Sequence, residues 1–99
     1  MSFVTTQPEA LLAAVANLRA IGSSLAAHSA AAASPTTGVA PAAADEVSAL
    51  TAVQFANHGQ SYQAVSAQAV AVHELFVQAL SNGANAYAAT EAANAAAAG

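Results

Sequence analysis

The sequence predicts an all-α protein, an antiparallel two-helix hairpin whose apolar faces are wider than the two helices can cover on each other. Three observations lead there. Residues from about 8 to 33 are strong helix formers with an apolar row at 4-3-4-3 spacing. Two prolines and a glycine interrupt the chain between Ser34 and Pro41. A second, longer helical pattern then runs from about 45 to 82.

Composition sharpens the shortage of core. The 99 residues allow one small domain. They are 57% hydrophobic and 6% charged, yet about a third are alanine. A buried methylene contributes roughly 0.8 kcal/mol, so alanine supplies little beside leucine or phenylalanine. Domains this small usually need disulfides, a metal or association. The absence of cysteine excludes disulfides and thiolate metal sites. Association is what remains.

Charge removes other classes. The formal charge is −4, and Arg19 is the single Lys or Arg. A nucleic-acid binder needs a basic footprint for phosphates, and an anionic membrane surface asks for the same. No transmembrane span is expected. The longest charge-free stretch, Val47 to His73, carries Gln54, Asn57, His58, Gln60, Gln63 and Gln68, which hydrocarbon would leave unpaired. The start MSFVTTQPEALL has no Lys or Arg and no continuous apolar run, unlike a secretory signal peptide. A chain of this kind that leaves the cell does so by another route.

The first helix opens at Thr6-Gln7-Pro8-Glu9, which has capping-box spacing: Thr6 would accept from the Glu9 N–H while Glu9 reaches back. Pro8 suits the first turn, where a missing N–H costs nothing, and Glu9 faces the positive end of the dipole. Leu11, Val15, Leu18, Gly22 and Leu25 form the row, widened by Leu12 and Ile21.

Residues 34–44 form the break, and a short connection favours antiparallel neighbours. Asp45 is a good N-cap for the second helix, followed by Glu46 in the first turn. The main row there reads Val47, His58, Tyr62, Val65, Ala69, Val72, Phe76 and Leu80. Leu50, Val53 and Leu75 run beside it, and Phe55, Val70 and Val77 lie further round. At about 1.5 Å per residue this helix is on the order of 50 Å long. Leu11, Val15, Leu18 and Leu25 are expected to pack on the second helix and a partner, and Tyr62, Val65, Val72, Phe76 and Leu80 to do so from the other side. Apolar surface beyond what a hairpin can hide usually marks an interface. Ser81-Asn82-Gly83 reads as a C-cap, leaving 83–99 a weakly ordered, nearly core-free tail.

Nothing in the chain reads as catalytic. His73-Glu74-Leu75-Phe76-Val77 begins like a zincin motif but has valine where the second ligand must stand. His28 and His58 lie on different helices with no reason to converge, and read as interface or surface residues. Gly59-Gln60-Ser61-Tyr62-Gln63 lacks the last glycine of a nucleophile elbow and sits within a helix. No cofactor, metal or small-molecule ligand is expected.

Pro8-Glu9 opening the first helix, the Pro/Gly break, Asp45 after Pro41-Ala-Ala-Ala, Tyr87-Ala88-Ala89-Thr90-Glu91 and the start MSFV together resemble the PE family of mycobacteria, across essentially the whole chain. The resemblance implies a heterodimer with a PPE protein, forming a four-helix bundle. It implies export to the medium or cell surface by a type VII secretion system. Before export the pair is held transiently in the cytoplasm by an EspG-type chaperone bound to the PPE subunit. It further assigns Tyr87 and Glu91 to a Tyr-x-x-x-Asp/Glu signal, thought to engage the secretion ATPase together with a Trp-x-Gly turn on the partner. This chain has no tryptophan, so the second half of that signal must come from the partner.

Simpler readings stand beside these. Proline and glutamate suit any helix start, and Tyr87 extends the Val65, Val72, Phe76 row as a packing residue. Two rival functions also stand: a self-associating helical bundle, and an N-terminal targeting domain of a longer esterase-type enzyme, because Ala-Ala-Ala-Ala-Gly gives no sign of a natural C-terminus.

Overall fold

The structure, a computed structural model, describes residues 4–99. Of the MSFV start, residues 1–3 therefore lie outside the described residues. The described residues form two helices and no strand: α1, Pro8–Thr37, and α2, Glu46–Ala97. They make a helical hairpin whose contacts divide into two units. One comprises Met1–Ile21 with His73–Gly99, the other Gly22–Val72. Pairing is antiparallel within each. In the first unit Thr6 meets Glu91 and Leu18 meets His73. In the second, Ser29 meets Gln63 and Ser66.

Gln7, not Thr6, stands at the N-cap position of α1. Its carbonyl accepts from the N–H groups of Ala10 and Leu11 at 3.1 and 3.2 Å. Pro8 is the first helical residue and is buried, the position its fixed φ suits. Thr6 stands one residue too early for the expected capping box, and its donors are turned to Glu91.

At its other end α1 runs to Thr37, past the expected end near 33, with Pro35 inside the last turn. So close to the end, proline removes one backbone bond, and nearby hydroxyls serve the neighbouring carbonyls. Thr36 Oγ1 donates to the Ala32 carbonyl at 2.6 Å, and Thr37 Oγ1 to that of Ala33 at 2.7 Å. The Gly38 N–H closes the turn on the Ser34 carbonyl at 3.0 Å.

Asp45 caps α2 as its sequence position predicts. The Ser48 N–H donates to Asp45 Oδ1 and the Ser48 hydroxyl to Oδ2, each at 2.8 Å. The bond from the Ser48 N–H, then that from its hydroxyl, hold the Asp45 carboxyl below its ordinary value.

α2 does not stop at Ser81-Asn82-Gly83 but continues to Ala97, so the tail expected to be weakly ordered is helical. A glycine C-cap needs the left-handed region. Only Gly99 among the described residues has positive φ, at 86°. Gly83 is an ordinary helical residue, carried by the alanines that follow.

The hairpin seam differs from the row of bulky residues picked out on the second helix. In the first unit Val15 and Val77 are each 2% exposed and Ala84 is fully buried, with Leu11, Leu18 and His73 half-buried beside them. In the second unit Ala52 and Gly59 are buried, and Ser29, Ala32, Gln63 and Ser66 half-buried. Gln63 Nε2 donates to the Ser29 carbonyl at 3.1 Å, and the hydroxyls of Ser66 and Ser29 are 3.3 Å apart. Small and polar residues thus line α2 where it meets α1, because only they let two backbones come close. Tyr62, Val65, Val72 and Phe76 are exposed, and Leu80 is half-buried. The four exposed side chains are therefore not packed on α1. On α1, Val15 is in the seam as expected, whereas Leu25 is exposed.

The view that no segment could span a membrane needs one qualification. α1 is long and apolar enough to do so by length and composition, a test that core helices also pass. Glu9 and Arg19 lie along it.

Candidate functional site

In the first unit, the residue preceding Gln7 reaches the last turns of α2. The Thr6 N–H and the Thr6 hydroxyl both donate to Glu91 Oε1, at 3.1 and 3.0 Å. Two donors on one carboxylate oxygen make a charge-assisted pair. Antiparallel pairing also brings this carboxylate to the N-terminal end of α1, where the free N–H groups of the first turn favour negative charge. Tyr87 lies one turn before Glu91 on the same helix and is 51% exposed. The two predicted signal residues therefore share a face of α2. One of them is tied down and the other is open to solvent. Sequence spacing found both, but not their link to Thr6, since no local pattern connects positions so far apart.

His73 sits in the same unit. Its Nε2 lies 2.8 Å from the Leu18 carbonyl. A carbonyl only accepts, so Nε2 carries the proton in this bond. The residue that starts the failed zincin motif is a seam residue. His28 and His58 are exposed in the second unit. Among the described residues, no three His, Cys, Asp or Glu side chains come together as a metal site.

The second unit holds a groove of about 520 Å³ beside the interhelical break, lined by Ala32, Pro35, Thr36, Val39, Phe55, His58, Gly59 and Tyr62. Its wall is mostly apolar, and Phe55 and Tyr62 remain exposed along it. Val65 and Val72 stand exposed further along this part of α2. Phe76, 56% exposed, and Tyr87 present apolar surface in the first unit. Each unit thus leaves large apolar side chains of α2 in water.

The described residues thus form a helical hairpin that leaves large apolar side chains exposed. Comparison with known proteins gives the family. The PE family model matches residues 4–94, and the chain belongs to that family. It is 60% identical to the PE family protein PE13 of Mycobacterium tuberculosis over 98 residues, 99% of each chain. It is 54% identical to PE8 of the same organism over 98 residues, which are 99% of this chain and 36% of PE8. The likeness to PE_PGRS33 is 59% over 96 residues, 97% of this chain but about a fifth of that protein, at 20%. PE13 thus matches this chain along nearly its whole length, whereas PE8 and PE_PGRS33 match it over one part of a longer protein.

Proposed function

We propose that this chain is the smaller subunit of a heterodimer with a PPE protein, a non-enzymatic pair exported by a type VII secretion system. The uncovered apolar row of α2 carries this reading. Tyr62, Val65 and Val72 are exposed in one unit and Phe76 in the other. The chain leaves 7189 Å² accessible to solvent. A compact monomer of its 9.6 kDa exposes about 5,100 Å². The surplus, roughly 2,000 Å², is more than the about 800 Å² that one partner contributes to a standard interface. A helical partner that covers this face completes a four-helix bundle.

Tyr87 and Glu91 serve as this subunit's part of the export signal, read by the secretion ATPase together with a motif on the partner. An EspG-type chaperone keeps the pair soluble through the PPE subunit until export. Family membership supports the signal, because Tyr87 and Glu91 fall within the matched residues. Co-expression with PPE proteins tests the pairing: a soluble, co-purifying heterodimer is expected, and a soluble monodisperse chain with no partner would overturn it. Replacing Tyr87 by alanine tests the signal. The variant should still bind its partner and should remain in the cell; its normal export would remove Tyr87 from the signal.

A further inference from the structure

We infer that Thr6 is a positioning residue for the export signal, so that the signal is built from both ends of the chain rather than from α2 alone. The inference rests on the reading of Tyr87 and Glu91 given above.

From Asn85 to Ala97, Glu91 is half-buried and every other residue is exposed. The last fully buried residue before it is Ala84. More than three turns of α2 therefore extend past the core, and most of their residues are alanine. Alanine favours continuing the helix, but helix ends fray, and in proteins most helical stability comes from tertiary packing. Here the tertiary contact is the pair of bonds from the Thr6 N–H and hydroxyl to Glu91 Oε1. Thr6 is itself held in place, because Gln7 stands at the N-cap of α1 and Pro8 is buried immediately after it. Tyr87 stands one turn from Glu91, so fixing the carboxylate also fixes the helix that presents the phenol ring. Both Thr6 donors go to Oε1, and neither goes to Oε2. Loss of the Thr6 donors should let these turns fray, and Tyr87 and Glu91 would then lose their common face.

A graded series at position 6 separates the possibilities, since Thr6 lies outside both helices. Thr6→Ser keeps both donors, Thr6→Val removes the hydroxyl, and Thr6→Pro removes both. Each variant is expressed with its partner, with Tyr87→Ala as the benchmark. Two quantities are read: the exported fraction in a mycobacterial host, and amide hydrogen exchange of residues 85–97 in the purified pair. Exchange there should quicken about tenfold in Thr6→Val and further in Thr6→Pro. Export should fall several-fold in the same order, and Thr6→Ser should restore both to wild-type values. Wild-type export of Thr6→Pro while Tyr87→Ala is retained would overturn the role of Thr6 and leave the signal itself standing. Normal export of Tyr87→Ala would remove the signal and this inference with it.

Discussion

A methyl group added to Gly59 would stand 2.5 Å from the Thr36 carbonyl oxygen and 2.9 Å from its carbon. Both atoms are backbone, and neither can swing aside. This close approach brings the start of α2 against the end of α1 beside the break. Gly59→Ala should therefore force the helices apart, with a cost of about 1–3 kcal/mol. Thermal melting of the purified pair should show a lower midpoint than wild type. An unchanged midpoint would mean that the approach is not a fixed feature of the fold.

Gly83 makes the opposite case. A methyl group there meets nothing within 4 Å, and its backbone is helical within α2. Glycine inside a helix costs roughly 0.5–1 kcal/mol relative to alanine. Gly83→Ala should raise stability by about that amount. If the helix ended at this glycine in a left-handed cap, the same change would be destabilising. The sign of the shift in circular-dichroism melts decides between them.

The Asp45 cap makes the start of α2 sensitive to acid. Its carboxyl is held below the ordinary value by the Ser48 N–H and hydroxyl. A lowered folded value means that the cap contributes fully above the unfolded value of about 3.9 and is lost as pH falls through the folded one. Helicity should decline at that end below about pH 4. Asp45→Asn still caps but does not titrate. Its helicity should vary less over the same acid range; an identical acid profile in both proteins would count against this account.

Phe76 probes the uncovered face. It is 56% exposed, so Phe76→Asp should leave the hairpin's own seam intact. A charge at the centre of a buried interface costs on the order of 2 kcal/mol or more. Co-purification with the partner should be lost or strongly reduced. A variant pair with wild-type affinity would place the partner elsewhere.

Sequence reading succeeded where a rule is local. The break, the Asp45 cap and Pro8 in the first turn each depend on residues a few positions apart, and each is found in the structure. Val15 in the seam follows from spacing in the same way. The reading failed where two local rules competed. Thr6 and Glu9 have capping-box spacing, but Gln7 takes the N-cap position because Thr6 has a distant partner in Glu91. Gly83 follows serine and asparagine as a C-cap would, yet the alanines beyond it carry the helix onward.

The second helix shows the limit most clearly. Tyr62, Val65, Val72 and Phe76 form a row at helical spacing, and they were expected to pack on α1 and on a partner. The hairpin instead closes along Ala52, Gly59, Gln63, Ser66, His73 and Val77. Bulk marks what must be buried somewhere, without saying against what. A close helix pair favours small side chains and hydrogen bonds, as between Gln63 and Ser29.

By itself the sequence determined that this protein is two helices joined by a Pro/Gly break, with too many apolar side chains for two helices to hide. It could do so because helix periodicity, capping and helix breaking act over a turn or two of chain. Only the tertiary structure decided which row of α2 meets α1 and that Thr6 holds Glu91. Those choices join residues far apart in sequence, and they turn on how closely two backbones can approach.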